Sequence, residues 1–170
     1  LILNNKPNKK ISFLKKKFST LNYKYLTFSN LHSEKISNYS SIIAKQKKVR
    51  LILAEYQKKF ARKFKRIAIE GRDISTKILY KSPRYDVAFF FKCNLSTAAY
   101  RRWKDLKTSK EQVSLAKVKK SLKKRNELDV KRRFSPLIPS KDSIIIRTDI
   151  LNKKAMVAKM SKEIEEKLLL

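Results

Sequence analysis

Glycine is almost absent from this sequence, in which Gly71 is the only one among 170 residues. A phosphate-binding G-x-x-x-x-G-K-[ST] loop and a dinucleotide-binding G-x-G-x-x-G turn each need several glycines, because only glycine lets the backbone approach phosphate closely. Neither loop can be formed from these residues. We therefore expect no phosphotransfer from ATP by these 170 residues alone.

Cysteine and histidine are equally scarce, with Cys93 and His32 the only examples. A single cysteine excludes an intramolecular disulfide, and one cysteine with one histidine cannot provide the ligand spacing of a familiar metal site. No apolar run approaches the length of a membrane span. The sequence therefore predicts no metal, no cofactor and no membrane partner.

Positive charge is present in large excess, since 44 Lys and Arg face 14 Asp and Glu and leave a net charge of +30. Self-repulsion on this scale disfavours a compact state unless a polyanion neutralises it. We infer a nucleic-acid partner, although codon drift in an AT-rich genome is an alternative source of the lysines. Each basic run could equally be a solvated helix face. The candidate RNA-binding residues are Lys45, Lys47, Lys48, Lys58, Lys59, Arg62, Lys63, Lys117, Lys119, Lys120, Lys123 and Lys124.

Three continuous apolar segments predict strands of one parallel sheet. They run from Ile67 to Gly71, from Val87 to Lys92 and from Ser143 to Arg147. Strands buried on both faces of a parallel sheet are apolar throughout, whereas half-exposed strands alternate. Because helical segments separate these runs, the sequence predicts an α/β fold.

Apolar residues at helical spacing predict helices over three long segments, 37–66, 96–130 and 152–170. In the last of these, Met156, Met160, Ile164 and Leu168 form one stripe, which we assign to the core. Nearer the N-terminus, the aromatic and β-branched residues of segments 10–14 and 23–28 predict two short strands joined by a turn at 19–22.

Four motifs in order along the chain resemble bacterial-type cytidylate kinase. The segment 125–137, RNELDVKRRFSPL, is similar to the family's R-D-x-x-D-x-x-R-x-x-x-P-L, with Asn126 at the first Asp. Segment 36–44, ISNYSSIIA, looks like V-S-x-x-A-S-x-x-A. Segment 71–74 matches G-R-D-[MI], with Ser75 where a glycine normally follows. Segment 99–102 matches the end of the lid motif E-R-A-x-R-R, with Ala98 in place of its first arginine.

The resemblance implies roles for individual residues. Arginine forks bind phosphate bidentately, and aspartate can accept hydrogen bonds from sugar hydroxyls or the cytosine amino group. Arg101 and Arg102 are expected on the lid helix, facing the transferred phosphate. The residues expected to hold the acceptor nucleotide are Ser41, Arg50, Arg72, Asp73, Arg125, Asp129 and Arg132.

The resemblance also implies an incomplete P-loop-kinase-like parallel sheet with flanking helices. Residues 1–35 are expected to be a remnant of the nucleotide-binding insert with short strands, and residues 36–170 the kinase-like α/β domain. The family's central strand, which lies between the strands predicted at Ile67 and Val87, is missing from this chain. Its absence would expose unpaired backbone, so another chain could supply it.

Two functional hypotheses follow. In the first, a degenerate kinase has become a structural RNA-binding protein of an organellar ribosome, most plausibly mitochondrial, with ribosomal RNA and neighbouring ribosomal proteins as partners. In the second, the chain is the C-terminal half of a split cytidylate kinase whose phosphate loop comes from another chain. The retained Arg and Asp residues favour the second hypothesis, whereas the charge, the change at Ala98 and Ser75 in place of glycine favour the first. The first hypothesis is our prediction from the sequence.

Overall fold

The computed structural model describes residues 10–20, 34–108 and 113–169. The chain forms two compact units, Leu1–Ile69 and Glu70–Leu170. The predicted domain boundary at residue 35 does not coincide with the division between these units. That residues 1–35 are a remnant of the nucleotide-binding insert stays a prediction. Of the helices in the described ranges, none is long and apolar enough to cross a bilayer.

The first unit is helical in its described part. It contains α1 (Lys10–Ser19), α2 (Glu34–Ile43) and α3 (Lys47–Lys63), which confirms helical structure over much of segment 37–66. Leu14 of α1 and Val49 of α3 are buried at the centre of the unit's core. The half-buried side chains packed against this pair are Ile11, Phe13, Phe18, Tyr39, Ile43, Ile52 and Leu53.

The strand predicted at segment 10–14 is wrong, because these residues begin α1. Ile11, Leu14 and Phe18 recur at the three- and four-residue spacing of a helix face, and that face packs against α3. Burial of this stripe outweighs the strand preference of Ile and Phe. The second predicted strand, at segment 23–28, lies outside the described residues.

The second unit contains a parallel pair of strands, β1 (Phe89–Lys92) and β2 (Ile144–Arg147). Phe89 is opposite Ile144, and Lys92 is opposite Arg147. The chain connects the strands through α4 (Leu95–Thr108) and α5 (Leu115–Lys131), which pack on each other. Parallel strands need such a long crossover. Two of the three predicted strands and the α/β class are thus confirmed.

The third predicted strand, over segment 67–71, is wrong. In the described part of the chain the sheet has only two strands, and Ile67 and Ala68 are exposed in an irregular segment. A strand is stabilised by hydrogen bonds to a neighbour, and in the described ranges no strand lies beside this segment to provide them. The segment leads to Gly71 and then to a short π-helix, Ile74–Ile78.

The C-terminal helix α6 (Lys153–Leu168) starts at Asn152, whose side-chain oxygen accepts a hydrogen bond from the Ala155 backbone N–H at 2.9 Å. Its apolar stripe is only partly covered. Met156 and Met160 are half-buried, whereas Leu168 is exposed. The assignment of the whole stripe to the core is therefore wrong at its C-terminal end.

The buried centre of β2 offers a test of the sheet. Ile146 is 0% exposed, whereas Ile150, just beyond the strand, is 70% exposed. We expect Ile146→Ala to lower the free energy of unfolding by about 2–5 kcal/mol, because it removes buried methylenes and leaves a cavity. Ile150→Ala is the matched control and should change it by less than about 1 kcal/mol. Urea denaturation measures both, and equal effects would contradict this placement of β2.

Candidate functional site

Asp129 is the centre of a cluster of arginines in the second unit. Its side chain is only 10% exposed in the last turn of α5. One carboxylate oxygen, Oδ2, lies 2.7 Å from Arg72 Nη1, and the other, Oδ1, lies 2.9 Å from Arg132 Nη1. Both oxygens of one buried carboxylate therefore meet guanidinium groups from two separate segments.

The turn after α5 holds Arg132 in this position. Arg132 is the C-cap residue and has an extended backbone, so the chain leaves the helix there. Its Nε donates to the carbonyl oxygen of Ser135, which is buried and has a left-handed backbone with φ 57°. The Leu137 N–H then donates to the Asp129 carbonyl at 2.8 Å. These two hydrogen bonds therefore close the R-x-x-x-P-L part of the motif into a loop around Arg132.

Arg125 adds a third guanidinium to the site. It lies one helical turn before Asp129 and is half-buried. Burial lowers the pKa of the Arg125 guanidinium below its ordinary value, and the positive charge of Arg72 lowers it further. Asp129 opposes this shift, while a fourth arginine, Arg102 of α4, acts in the same direction as Arg72. Arg72 and Arg102 are therefore close enough to Arg125 for their charges to disfavour its charged form.

Guanidinium groups from three segments converge near Asp129. Arg72 and Arg132 pair with its carboxylate, and the charges of Arg72 and Arg102 act on Arg125. Arg–Asp pairs can simply hold a fold together, and that role accounts for the contacts of Arg132, whose side chain is 9% exposed. Burial and the like charge of Arg72 and Arg102 disfavour the charged form of Arg125. An anion beside Arg125 would oppose both effects.

Asp73 and Gly71 flank Arg72. Asp73 is buried, and its carbonyl accepts hydrogen bonds from the N–H groups of Lys77 and Ile78 in the π-helix. A Cβ at position 71 would lie 2.8 Å from two side-chain carbons of Ile74, so the absence of a side chain at Gly71 avoids a steric clash with Ile74. The segment therefore places Arg72 and Asp73 side by side at the start of the π-helix.

The two arginines expected on the lid helix have different surroundings. Arg101 Nη2 donates to the Thr148 carbonyl at 2.7 Å, which ties α4 to the end of β2. Arg102 instead contributes to the field at Arg125. Of this pair, the structure brings Arg102 to the Asp129 cluster.

Two further residues expected in the nucleotide site belong to the first unit. Ser41 lies in α2, and Arg50 is a half-buried residue of α3. Their part in the nucleotide site stays a prediction of the motif resemblance.

The candidate RNA-binding residues lie mostly on exposed helix surfaces. Those from Lys117 to Lys124 lie along α5 and are all exposed. Along α3 and the turn before it, all are exposed except Lys58, which is partly covered and lies 3.6 Å from Glu55. The structure therefore places these lysines where a solvated face or an RNA surface would have them.

A second charged group, which the sequence analysis missed, lies where the two strands end. Asp149 accepts hydrogen bonds from Arg147 Nε at 3.0 Å and from the Asn94 backbone N–H at 3.2 Å. The hydrogen bond from Arg147 holds the pKa of the Asp149 carboxyl well below its ordinary value. Polar residues just after parallel strands often meet at one sheet edge, and that rule could have identified them. In the described ranges, no three His, Cys, Asp or Glu residues form a group able to hold a metal ion.

Comparison with known proteins identifies the family. A family model described as cytidylate kinase matches residues 3–166. The cytidylate kinase of Flavobacterium psychrophilum is 33% identical over 134 residues, which are 76% of this chain and 58% of that protein. The enzyme of Desulfitobacterium hafniense is 35% identical over 118 residues, 69% of this chain and 49% of that protein. That of Bartonella tribocorum is 30% identical over 141 residues, 83% of this chain and 62% of that protein.

This chain belongs to the cytidylate kinase family, as its motifs suggested. It spans only 49–62% of the length of these three relatives. The arginine cluster around Asp129 lies within the region that the family model covers.

The buried carboxylate can be tested by its effect on stability. Asp129→Asn keeps the shape of the side chain but removes the charge between Arg72 and Arg132. We expect it to lower the free energy of unfolding by about 3–5 kcal/mol, because breaking a buried ion pair leaves charge uncompensated. Glu166→Gln, in an exposed pair with Lys162, is the control and should cost less than about 1 kcal/mol. Equal urea midpoints for the two variants would show that the Asp129 contacts contribute no more than a surface pair.

Proposed function

We propose that this chain forms the acceptor-nucleotide side of a cytidylate kinase, and that the arginine cluster around Asp129 binds the phosphate of a cytidine monophosphate. The observation that carries the proposal is the convergence of Arg72, Arg102, Arg125 and Arg132 near one buried carboxylate, which lies in a segment that matches a family motif. A phosphate monoester carries nearly two negative charges at neutral pH and would stabilise the positive charge of these groups.

The contacts of the four arginines indicate a different role for each. Arg132 is committed to Asp129 and Ser135, so it positions Asp129 and shapes the turn. Arg72 is 34% exposed and can bind Asp129 and still turn one nitrogen toward a ligand. Arg125 and Arg102 provide the positive field beside it. Because a guanidinium offers paired N–H groups, two such arginines can each bind two phosphate oxygens.

The phosphoryl donor needs residues beyond these. The 170 residues contain no glycine-rich phosphate loop, since Gly71 is their only glycine. In the kinase proposal, another segment binds ATP and completes the active site, either as part of a longer polypeptide or as a separate chain. Phosphorylation of CMP would then require both parts, whereas binding of CMP requires only this one.

The phosphate contact can be isolated by comparing CMP with cytidine. We expect Arg125→Gln to weaken CMP binding about 10- to 100-fold, since a hydrogen bond to a charged group contributes about 1.5–3 kcal/mol. Binding of cytidine, which has no phosphate, should be unchanged. Isothermal titration calorimetry on the full 170-residue chain measures both ligands.

Arg84→Gln is the matched control, because Arg84 is an exposed arginine paired with Asp142 at 3.2 Å. It should leave CMP affinity unchanged. Equal loss of CMP affinity in the two variants, or equal loss of cytidine and CMP binding in Arg125→Gln, would contradict phosphate binding at Arg125.

A second candidate function rests on the exposed charge. A net charge of +30 and the exposed lysines along α5 support binding to the backbone of a large RNA. In this proposal the protein is a structural component of an organellar ribosome, most plausibly mitochondrial, and contacts ribosomal RNA and neighbouring proteins. The exposed lysines of α5 are not among the residues assigned to the phosphate of CMP, so this function could coexist with nucleotide binding.

The RNA proposal predicts a specific salt dependence. Replacing Lys119, Lys120, Lys123 and Lys124 with Gln should weaken binding to all RNA sequences alike. It should also flatten the slope of log affinity against log salt by about 0.7–0.9 for each lysine that contacts a phosphate. Titration of structured RNA at several salt concentrations measures both quantities.

The control removes four lysines from α6 instead, replacing Lys153, Lys154, Lys159 and Lys167, which are also exposed. It should retain more affinity and a steeper slope. Identical behaviour of the two quadruple variants would show that net charge alone matters and that the α5 face makes no specific contact. Co-sedimentation with ribosomal particles at moderate salt then tests the assembly itself.

A further inference from the structure

The first unit contains an open groove between α1 and α3 that the kinase proposal does not use. The groove has a volume of about 1280 Å³. Pockets for small molecules usually enclose about 300–1,000 Å³, so this one has room for a longer ligand. All of its lining residues lie between Lys15 and Phe64.

Aromatic rings form a continuous row along one side of this groove. Phe18 of α1 meets Tyr56 edge to face, with ring centroids 5.5 Å apart. Tyr56 and Phe60 lie nearly parallel at 6.5 Å, and Phe60 meets Phe64 at 5.1 Å. Tyr56, Phe60 and Phe64 are four residues apart, which places them on one face of α3. Phe64, at the end of the row, is 45% exposed.

Positive side chains border the same groove. Lys15, Lys59, Arg62 and Lys63 line it. Among the described residues that line it, Glu55 provides the only carboxylate, and Glu55 lies 3.6 Å from Lys58. Lys63 Nζ lies 5.9 Å from the centroid of the Phe64 ring, so the charge and the ring at the exposed end are adjacent. The occupant that fits this combination is negatively charged and carries planar rings.

The shape and charge of the groove distinguish between occupants. An apolar peptide would cover the rings but would bring no negative charge to the positive side chains that border the groove. An anionic lipid surface offers negative charge, but a bilayer binds projecting apolar residues and not the floor of a concave groove. A single nucleic-acid strand offers regularly spaced phosphates and bases with free faces. In a duplex the bases stack on each other, whereas RNA loops and ends present them unpaired.

We propose that the groove between α1 and α3 binds single-stranded RNA, with a base stacked on Phe64 and the neighbouring phosphates at Lys59, Arg62 and Lys63. This proposal does not rest on CMP binding, because every residue that it uses lies in the first unit. It also goes beyond charge-driven RNA binding, since it assigns part of the affinity to stacking between an uncharged ring and an unpaired base.

The test compares a single strand with a duplex. Fluorescence anisotropy on the full chain measures affinity for a labelled 12-nucleotide oligouridine and for a 12-base-pair RNA duplex. Phe64→Leu should weaken binding of the single strand about 5- to 100-fold, the range expected for loss of one stacked base. Duplex affinity should be unchanged, and so should the salt slope for both ligands, because no charge is removed.

Tyr80→Leu is the matched control, since Tyr80 is an exposed aromatic residue of the second unit. It should leave both affinities unchanged, and Phe64→Trp should restore or strengthen single-strand binding. Thermal denaturation of Phe64→Leu should match the parent chain to within a few degrees, because Phe64 lies at an exposed helix end.

Three outcomes would overturn the proposal. Phe64→Leu could leave oligouridine affinity unchanged, or it could weaken strand and duplex equally. Vesicles of phosphatidylcholine and phosphatidylserine could compete with oligouridine for the parent chain but not for Phe64→Leu, which would assign the groove to lipid. None of these outcomes bears on CMP binding or on the lysines of α5, so a failure here is distinguishable from a failure of either proposed function.

Discussion

The buried carboxylate of Asp129 is the constraint on which the second unit's site depends. It joins Arg72, at the start of the π-helix, to Arg132, at the end of α5, through contacts of 2.7 Å and 2.9 Å. A carboxylate with so little exposure is tolerated only because both of its oxygens meet positive charge. Two more guanidiniums lie near this pair, because the charges of Arg72 and Arg102 both act on Arg125. The contacts that hold these segments together are therefore also the contacts on which the proposed phosphate site depends.

The two proposed functions depend on basic side chains that differ in burial. Arg125 is half-buried, so its interaction with a phosphate would be screened little by salt and would depend on geometry. The lysines of α5 are exposed and hydrated, so their attraction to RNA would fall steeply as salt rises. Net charge alone does not distinguish the two functions. The burial of the basic side chains does, because a small ligand needs a few fixed hydrogen-bond donors, whereas a large polyanion needs many mobile positive charges.

Much of this architecture was predictable from the sequence. Continuous apolar runs predicted β1 and β2, and helical spacing predicted α3 to α6, because these patterns reflect burial within each element. Segment 10–14 was mispredicted because Ile and Phe suit strands, although their spacing with Phe18 suits a helix. Segment 67–71 was mispredicted because a strand also needs a neighbour, which local sequence does not reveal.

The site was predictable to a similar degree. The motif around Asp129 singled out Arg125 and Arg132, and the separate G-R-D motif singled out Arg72, before any geometry was known. The motifs could not tell that Arg101 binds Thr148 while Arg102 belongs with Arg125, because adjacent helical residues point about 100° apart. In the sequence, the row from Tyr56 to Phe64 shows only as apolar residues at helical spacing. Only the structure shows that its end is exposed and that basic residues border it.

The exposed apolar surface of the second unit bears on how a kinase could be completed. A two-stranded sheet is marginal by itself, and in the described part of the chain β1 and β2 each have one unpaired edge. Phe91 of β1 is exposed, and so are Val157 and Leu168 of α6. A further strand beside β1 would pair with the edge of that strand, and a helix or loop accompanying it could cover α6. Because a phosphate loop begins directly after a strand in P-loop folds, one segment could supply both a third strand and the phosphate loop that the kinase proposal requires.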